Sequence, residues 1–406
     1  YAPTDLIEPY STLTKARPLL KTSEHYFFQL SDPRCIEFLQ TWTTGSNAQG
    51  HKHLQAEVLA KTREWLGSGD EKANLGDWDI SRDAPYFGFP IPGAPGKYFY
   101  VWLDAPIGYL SSFQALCQRE GLDFDAFLDA ARNANNETEL HHFLGKDIVN
   151  FHGLFWPAML NGAGLRAPTK LHVNGYLTVN GAKMSKSRGT FVMARSYLDA
   201  GLQPEALRYY FAGKSGSGVA DLDLNLDDFV AKVNADIVGK FVNIASRCAG
   251  FINTRFDGLL TDSLPDAATY AQFENEFKAI RQSYLEGETA QALRQIMALA
   301  DIANRYIDEQ KPWVLAKDPD QSGALHGVCT QALNLFRVLA VALKPILPQV
   351  ATQAEAFLNA PILQWADFNA PLLGHRIAAY SPLFTRIDPK NIQTMIDASK
   401  NTTTAA

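Results

Sequence analysis

The stretch Lys183-Met184-Ser185-Lys186-Ser187 brings two lysines and two serines together between glycines. Lysine is a compact charge on a flexible stem, so it suits a phosphate on which negative charge develops. The run 171–179 just before it predicts a strand, and Asn180-Gly181 predicts a tight hairpin turn. We therefore expect a basic phosphate-binding loop after a hairpin. A solvated surface loop with ordinary lysines is the alternative that five residues leave open.

A second candidate is Trp78-Asp79-Ile80-Ser81-Arg82, followed by the proline-rich segment 88–92. An arginine among aromatic residues suits either of two tasks. It can clamp a phosphate, or it can fix a loop. The segment alone leaves both open.

A third candidate is the segment 102–109, in which Trp102, Pro106 and Tyr109 stand near a predicted strand end and the first turn of the next helix. In an α/β sheet a ligand pocket forms at this place. Aromatic walls suit a polarisable thioether, with sulfur–ring contacts of about 0.3–1.5 kcal/mol each. An ordinary aromatic core cluster is the competing interpretation.

The fourth candidate combines Gly145 and Asp147 with His152 and Trp156. A glycine after a strand and an acid at the next helix start are typical of nucleotide-ribose recognition. His152 and Trp156 lie one helical turn apart and share a face. A histidine on such a helix is also often a structural residue whose hydrogen bonds are satisfied within the protein.

The elements that must position these residues alternate between strands and helices up to about residue 170. The pattern predicts a helix over 53–66, then strand 96–103, helix 106–117, strand 139–144, helix 148–160 and strand 171–179. Such alternation indicates a parallel α/β sheet that binds ligands at the carboxyl ends of its strands. Only half of such a sheet is present in this sequence.

The remainder of the chain is predicted to be helical. Apolar residues recur at steps of three and four from Phe229 to Ile252, which predicts one long amphipathic helix with Asp227 and Asp228 in its first turn. Four further helices are predicted, over 270–286, 289–310, 323–344 and 349–358. Short loops between them indicate an antiparallel bundle.

The bulk composition is that of an ordinary globular protein. Of 406 residues, 46% are hydrophobic and 20% are charged, with a net charge of −6. We expect no membrane span and no secretory signal. Cys35, Cys117, Cys248 and Cys329 show no paired spacing, which argues against a disulfide framework and favours a cytoplasmic protein.

Taken in order, these segments resemble the methionyl-tRNA synthetase family of class I aminoacyl-tRNA synthetases. The resemblance runs from Tyr1 to about Lys400 and rests on WDISRDAPYFG, YVWLDAPIGY, GKDI with FH, and VNGAKMSKS. It implies a fold of two parts: the C-terminal half of a Rossmann-type catalytic domain, followed by an antiparallel helical anticodon-binding domain. The implied division is 1–76 (remainder of the connective-peptide insertion), 77–170 (second half of the catalytic domain), 171–225 (lysine loop and stem contact), 226–398 (anticodon binding) and 399–406 (linker or disordered tail).

The resemblance implies condensation of methionine with ATP to methionyl-adenylate, and transfer of the methionyl group to the 3′-terminal ribose of tRNA. ATP enters with Mg²⁺ as substrate. Lys186 and Lys183 would be catalytic, by stabilising charge on the departing pyrophosphate. The ATP-binding positions are Lys183, Ser185, Lys186, Gly145, Asp147, Ile80 and Leu177. The methionine-binding positions are Trp102, Pro106, Tyr109, Ile148, Phe151, His152 and Trp156.

The helical part would read the anticodon of initiator and elongator tRNA(Met) for translation. The implied contacts are Asn243 and Arg247, four residues apart on one helix face, and Trp313, which follows Pro312 and could stack on an unpaired base. A buried aromatic of the bundle is the alternative for Trp313. Gly239 departs from the family, since some relatives carry an amide side chain there. Some relatives also dimerise through a further C-terminal domain, so a homodimer is a further expectation.

Two family features are absent from the printed sequence. It contains neither the family's His-x-Gly-His signature, which grips the ATP phosphates, nor the paired cysteines of its zinc knuckle. We therefore expect a chain that represents the larger C-terminal portion of a synthetase and forms adenylate poorly by itself. Two alternatives remain at this stage: a non-catalytic tRNA-binding module derived from a synthetase, and another class I synthetase.

Overall fold

A computed structural model describes residues 6–67, 74–132, 138–184, 192–362 and 364–401 of the chain. It divides into two compact units, Tyr1–Leu171 and His172–Ala406. The finer division at residues 76 and 225 stays a prediction.

The first unit alternates short strands with helices. Its elements are β1 (Phe27–Phe28), α1 (Pro33–Thr44), α2 (Ala56–Leu66), β2 (Trp78–Asp79), β3 (Ser81–Asp83), β4 (Lys97–Phe99), α3 (Val101–Asp104), α4 (Ile107–Glu120), α5 (Phe124–Leu128), β5 (His141–Gly145) and α6 (Trp156–Gly162). The pairs β1–β2 and β3–β4 are antiparallel. Leu39 of α1, Leu66 of α2 and Ala158 of α6 belong to one buried cluster. The strand β6 (Lys170–Asn174) carries the chain from this unit into the next.

Two elements predicted in this region differ from the structure. The strand predicted over 96–103 ends at Phe99, and a helix begins at Val101. The residues 101–103 prefer strand locally, but they are helical in the structure. We attribute this to a tertiary contact, the packing of Trp102 on Phe151. The helix predicted over 148–160 is a 3₁₀ turn (Lys146–Ile148), a π-helical turn (Phe151–Phe155) and then α6. Such π turns occur frequently at functional sites.

The predicted strand 171–179 is two strands, β6 and β7 (Leu177–Val179), because the extended pairing is interrupted at Gly175. A Cβ atom at Gly175 would lie 2.1 Å from the carbonyl oxygen of Ala220, so only glycine permits this close backbone approach. Then β7 pairs antiparallel with β8 (Ala182–Lys183) and parallel with β9 (Leu222–Leu224). Two short helices, α7 (Ala194–Asp199) and α8 (Pro204–Ala212), lie between β8 and β9 in the sequence.

The long helix predicted from the apolar stripe is present and runs from Leu226 to Arg255. It comprises α9 (Leu226–Val233), a π-helical segment (Asn234–Val242) and α10 (Asn243–Arg255). Asn225 caps it by accepting a hydrogen bond from the backbone N–H of Asp228 at 2.9 Å, and Asp227 and Asp228 occupy its first turn, as predicted. Every stripe residue is at most 1% exposed, so the stripe faces the bundle core.

The bundle continues with five helices joined by short connections. They are α11 (Ala267–Glu286), α12 (Thr289–Gln310), α13 (Pro312–Leu315), α14 (Ser322–Leu343) and α15 (Pro348–Leu358). All residues of α14 from Val328 to Leu343 are buried, which makes it the central helix. The last helix, α16 (Pro389–Asn401), extends three residues into the predicted segment 399–406, whose role as a linker stays a prediction.

By length and composition, one helix of the described chain is long and apolar enough to cross a membrane. It is Pro319–Leu343, with a mean hydropathy of 1.3 in its most apolar window. Of that window, 83% is buried inside the structure, as is typical of the core helix of a bundle.

Candidate functional site

The side chains predicted to line a methionine pocket meet in the first unit as one aromatic cluster. Trp102 on α3 stacks on Phe151 of the π turn, with ring centroids 4.4 Å apart and planes at 10°. The rings of His152 and Trp102 form a T-shaped pair, with centroids 5.8 Å apart. Tyr109, on the first turn of α4, lies 6.4 Å from the ring of Trp156. The π turn thus places both Phe151 and His152 against Trp102, and it also places His152 against Tyr109, with ring centroids 5.8 Å apart.

The hydrogen bonds of His152 define which of its nitrogens carries a proton. Its Nδ1 lies 3.0 Å from the carbonyl oxygen of Ile148, so this nitrogen donates. Its Nε2 must then accept, and the hydroxyl of Tyr109 lies 2.9 Å away as the donor. Burial lowers the pKa of His152 and raises that of Tyr109, so both side chains are neutral near pH 7.

A second histidine, His142, contacts this cluster through Trp156, Tyr109 and His152. The sequence did not single it out. The indole N–H of Trp156 donates to its Nε2 at 3.3 Å, and the two side chains are 2% and 8% exposed. Burial, with smaller contributions from His152 and His141, lowers the pKa of His142 to about 4. The one signal for it was its place in the predicted strand 139–144.

The remaining pocket positions frame the cluster. Pro106 is buried at the start of α4, and Ile148 is half-buried on the 3₁₀ turn. Tyr109 is 42% exposed, so one side of the cluster is open to solvent. Asp104 was also missed from the sequence. In the described part of the chain, its Oδ1 is buried without a hydrogen-bond partner.

The positions assigned to the adenosine of ATP divide between the two units, with Gly145, Asp147 and Ile80 in the first. A Cβ atom at Gly145 would lie 2.7 Å from Oδ1 of Asp147, so glycine allows this exposed carboxylate to approach the end of β5. The backbone of Ile80 bridges two neighbours, donating to the carbonyl oxygen of Tyr26 at 2.9 Å and accepting from the N–H of Tyr100 at 2.8 Å.

Arg82 serves to hold its own segment together. Its guanidinium lies 3.9 Å from the ring centre of Tyr100 and pairs with Asp79 at 3.2 Å. It also donates to the carbonyl oxygen of Ser81 at 2.6 Å. Of the two tasks that the sequence left open, these contacts favour the structural one.

The second unit carries the hairpin that precedes the lysine loop. Asn180 and Gly181 have φ of 48° and 74°, so both lie in the left-handed region that a two-residue type I′ turn requires. Asp223 of β9 accepts from the hydroxyl of Thr178 at 2.7 Å and from the N–H of Gly181 at 2.8 Å. These two hydrogen bonds anchor the hairpin to β9. Lys183, the last residue of β8, is exposed.

Two catalytic or ATP-binding predictions, Ser185 and Lys186, lie outside the described residues. Leu177, at the start of β7, is 39% exposed. The predicted hairpin is therefore confirmed, whereas the role of the loop stays a prediction.

The three residues predicted to read an anticodon lie on one face of the second unit. The guanidinium of Arg247 lies 4.7 Å from the centre of the Trp313 ring and pairs with Asp308. Trp313 is 40% exposed, so the interpretation as a buried bundle aromatic is wrong. Asn243, one turn before Arg247, donates to Oδ1 of Asn304 at 3.0 Å. The three side chains thus present an amide, a cation and an indole to solvent.

Gly239 is exposed on the same helix, in its π-helical segment. A Cβ atom there would have one neighbour within 4 Å, the carbonyl oxygen of Asn234 at 3.4 Å. The position therefore has room for a Cβ atom.

Among the described residues, no three of histidine, cysteine, aspartate and glutamate are grouped as a metal ion requires. The four cysteines are free thiols, and three of them are buried. The residues present do not fit a zinc knuckle.

Comparison with known proteins gives two family matches that cover most of the chain. Residues 1–249 match the family model of class I tRNA synthetases (M), and residues 262–397 match the anticodon binding domain of methionyl tRNA ligase. The methionine–tRNA ligase of Stenotrophomonas maltophilia (strain R551-3) is 64% identical over 408 residues, which cover 100% of this chain and 57% of that protein. That of Xanthomonas campestris pv. campestris (strain B100) is 62% identical over 405 residues, or 56% of its length. The chain thus spans little more than half the length of these relatives.

Solved structures agree with this assignment at the level of fold. The Mycobacterium tuberculosis methionyl-tRNA synthetase bound by methionyl-adenylate superposes with a TM-score of 0.74 at 22% identity, covering 93% of this chain and 72% of the other. The predicted fold, part of a class I catalytic domain followed by a helical anticodon-binding domain, is confirmed. This chain belongs to the methionine branch of the class I tRNA synthetases.

Proposed function

We propose that this protein is a methionine–tRNA ligase. The carboxylate of methionine attacks the α-phosphorus of ATP, and the bond to pyrophosphate breaks, giving methionyl-adenylate. A hydroxyl of the tRNA 3′-terminal ribose then attacks the methionyl carbonyl and AMP leaves. The carboxylate is already a nucleophile, so the protein contributes mainly positioning and electrostatic stabilisation.

The observation that carries this proposal is the aromatic cluster of the first unit. Stacked Trp102 and Phe151 and the neutral pair Tyr109–His152 form a largely apolar wall with one hydroxyl. An apolar thioether side chain suits such a wall, because sulfur–ring contacts are favourable and no charge needs a partner. The identity of 64% to a methionine–tRNA ligase supports the same substrate.

Lys183 and Lys186 are proposed to stabilise the charge on pyrophosphate as it leaves. Lys183 is exposed at the end of a hairpin that Asp223 anchors, and this position supports the role. An exposed lysine on a flexible stem is accessible to a phosphate. Asp147, brought close to the end of β5 by Gly145, is proposed to accept from ribose hydroxyls, and Ile80 and Leu177 to contact adenine.

The second unit is proposed to bind the anticodon of initiator and elongator tRNA(Met). The exposed indole of Trp313 provides a stacking surface beside the Arg247 cation, as single-stranded RNA loops require. Mg²⁺ is proposed as part of the ATP substrate, and homodimerisation and a cytoplasmic location are further proposals. The free thiols are compatible with a reducing compartment.

Methionine-dependent exchange of pyrophosphate into ATP tests the activity, with the protein expressed at the full length of its reading frame. We expect exchange with methionine and none with leucine, isoleucine or valine. Lys183→Ala should lower kcat by about 10²–10³-fold, the usual cost of losing a transition-state donor. Lys278→Ala, on the exposed face of α11, is the control with unchanged kcat.

The competing assignments are separated by this exchange assay together with a measurement of tRNA binding to the same protein. Binding of tRNA without any exchange would identify a non-catalytic tRNA-binding module. Exchange that depends on another amino acid would identify a different class I synthetase.

A further inference from the structure

The hairpin turn before the lysine loop is built from a chemically labile pair of residues. The chain contains three Asn-Gly pairs, which begin at Asn161, Asn174 and Asn180. Asparagine is a thermolabile residue in general. It is most reactive before glycine, because glycine has no side chain to hinder the approach of its own backbone nitrogen. The pair at Asn180 is the one that forms the turn leading to Lys183.

Deamidation at this pair is a defined sequence of bond changes. The backbone nitrogen of Gly181 gives up its proton and attacks Cγ of Asn180. A C–N bond forms and closes a cyclic succinimide, while the bond from Cγ to Nδ2 breaks and the amide nitrogen leaves with that proton as ammonia. Water then adds to the main-chain carbonyl carbon of Asn180 and breaks its bond to the nitrogen of Gly181. The product is isoaspartate, in which the chain continues through Cβ and Cγ and a carboxylate remains on Cα.

In the folded protein, a carboxylate holds the nitrogen that must attack. The N–H of Gly181 donates to Oδ1 of Asp223 at 2.8 Å, and Asp223 is half-buried on β9. Loss of the proton would break this hydrogen bond and set a negatively charged nitrogen beside a carboxylate, which repels it. A hydrogen bond to a charged acceptor is also stronger than one between neutral groups. Asp223 therefore opposes the first step, the deprotonation of the attacking nitrogen.

The side chain that must be attacked is held as well. Oδ1 of Asn180 accepts from the backbone N–H of Leu226 at 3.0 Å, and the N–H of Asn180 donates to the carbonyl oxygen of Leu224 at 3.1 Å. Leu226 begins the long helix, where the first N–H groups have no partner within the helix. Because Leu226 is buried, any rotation of Asn180 that breaks this bond leaves a buried donor unsatisfied.

An isoaspartate in this turn would disturb the lysine that follows it. The hairpin pairs Val179 with Ala182 and Thr178 with Lys183 across a turn of two residues. Isoaspartate adds a backbone carbon to the turn, so the register that places Lys183 is lost. It also adds a negative charge near Lys183, and this charge would repel a phosphate group.

We propose that Asn180 is a modification site, a deamidation site that Asp223 keeps closed, and that its conversion to isoaspartate lowers the activity that depends on Lys183. The chemistry of the site rests on the hydrogen bonds around the turn alone. Its consequence for activity rests on the proposed role of Lys183 in the release of pyrophosphate.

Mass spectrometry of aged protein tests the chemistry. Protein expressed at the full length of its reading frame is incubated in mildly alkaline buffer, and electron-transfer fragmentation of its peptides measures isoaspartate at each Asn-Gly pair. In the wild type we expect slower formation at Asn180 in the folded protein than in the urea-unfolded chain. Asp223→Ala should raise the folded-state rate at Asn180 by about ten- to 100-fold, the value of a hydrogen bond to a charged group. The rate at Asn161, on α6 in the other unit, should be unchanged.

Two variants separate the bond to Gly181 from general support of the hairpin. Asp223→Asn keeps an oxygen that accepts from Gly181 but carries no charge, so its rate should lie between those of wild type and Asp223→Ala. Thr178→Val removes the 2.7 Å bond from the Thr178 hydroxyl to Asp223 and leaves the N–H of Gly181 bonded, so its rate should equal that of wild type. Equal acceleration in Thr178→Val and Asp223→Ala would overturn the inference in favour of a loosened hairpin. Equal rates in wild type and Asp223→Ala would overturn it outright.

Pyrophosphate exchange, measured during the same incubation, tests the consequence. Exchange by Asp223→Ala should fall as isoaspartate accumulates. The double variant Asp223→Ala with Asn180→Gly cannot deamidate at this position and should keep its initial rate, since glycine suits the φ of 48° found there. Isoaspartate that accumulates without loss of exchange would overturn the consequence for Lys183. Wild-type protein without any methionine-dependent exchange would instead overturn the proposed ligase activity, while mass spectrometry still decides whether Asp223 protects Asn180.

Discussion

The indole of Trp102 lies flat on the phenyl ring of Phe151, with centroids 4.4 Å apart and planes only 10° from parallel. Phe151 also contacts Trp78, with ring centroids 4.9 Å apart and planes tilted by 38°. Each ring therefore restricts the next, and Trp102 is held as a rigid wall on a helix of only four residues. Such a wall limits the side chains that fit against it by shape and polarisability.

Replacing Trp102 by alanine should weaken the binding of methionine. The variant loses an aromatic surface together with a ring pair that contributes about 0.5–1.5 kcal/mol beyond its buried area, so we expect Kd to rise by about tenfold or more. Isothermal titration calorimetry with methionine, on protein expressed at the full length of its reading frame, measures this change. Trp313→Ala is the matched control, since that indole lies in the other unit. Equal affinity in wild type and Trp102→Ala would contradict the assignment of the pocket.

Replacing Trp313 by alanine should weaken the binding of RNA instead of the binding of methionine. Loss of one stacking surface costs about 1–3 kcal/mol, or about five- to 150-fold in affinity for an RNA stem-loop with a CAU anticodon. Methionine binding should be unchanged. Fluorescence anisotropy at constant salt gives the RNA affinity, and Trp102→Ala now serves as the control. RNA affinity that survives the loss of Trp313 would exclude this face as the binding surface.

The buried histidines should make stability depend on pH in a defined direction. Burial lowers the pKa of His142 to about 4, from an ordinary 6.5, and lowers that of His152 as well. Between pH 4 and pH 6.5 the unfolded chain therefore binds more protons than the folded chain does. The free energy of unfolding rises as the pH is raised through this window, and that added stability is lost as the pH falls through it. For His142 the full effect is about 3 kcal/mol.

Circular dichroism of thermal unfolding across this pH range measures the effect. His142→Gln retains an acceptor for the Trp156 N–H while removing the titrating group, so its stability should vary less over the same window. A variant with the same pH dependence as the wild type would show that the buried imidazole does not titrate with folding.

The positive φ of Gly181, in the hairpin before the lysine loop, can be tested by replacing this glycine. Gly181 has a φ of 74°, where a Cβ atom is strained by about 1–2 kcal/mol. Gly181→Ala should therefore lower the free energy of unfolding by about that amount in urea denaturation. Gly250→Ala is a matched control on α10, where a Cβ atom meets nothing within 4 Å and alanine favours the helix, so stability should rise.

Local patterns predicted the elements whose determinants are local. The Asn180-Gly181 turn follows from two residues that tolerate positive φ, and the long helix from an apolar stripe with Asp227 and Asp228 at its start. Prediction was wrong where a distant contact overrides local preference. Val101–Asp104 has strand-like residues yet is helical, because Trp102 packs on Phe151 almost 50 residues away.

The sequence by itself determined the class of protein, the order of its parts and the residue types at each candidate site, because motifs and periodicity are written along the chain. Only the tertiary structure decided how those residues act on one another. It made His152 an acceptor for Tyr109, assigned Arg82 to Asp79 and Tyr100, and added His142 and Asp223, for which motifs gave no reason. Several of the neighbours that set hydrogen-bond direction and burial lie far away in sequence, as Tyr109 does from His152, and folding alone brings those neighbours within reach.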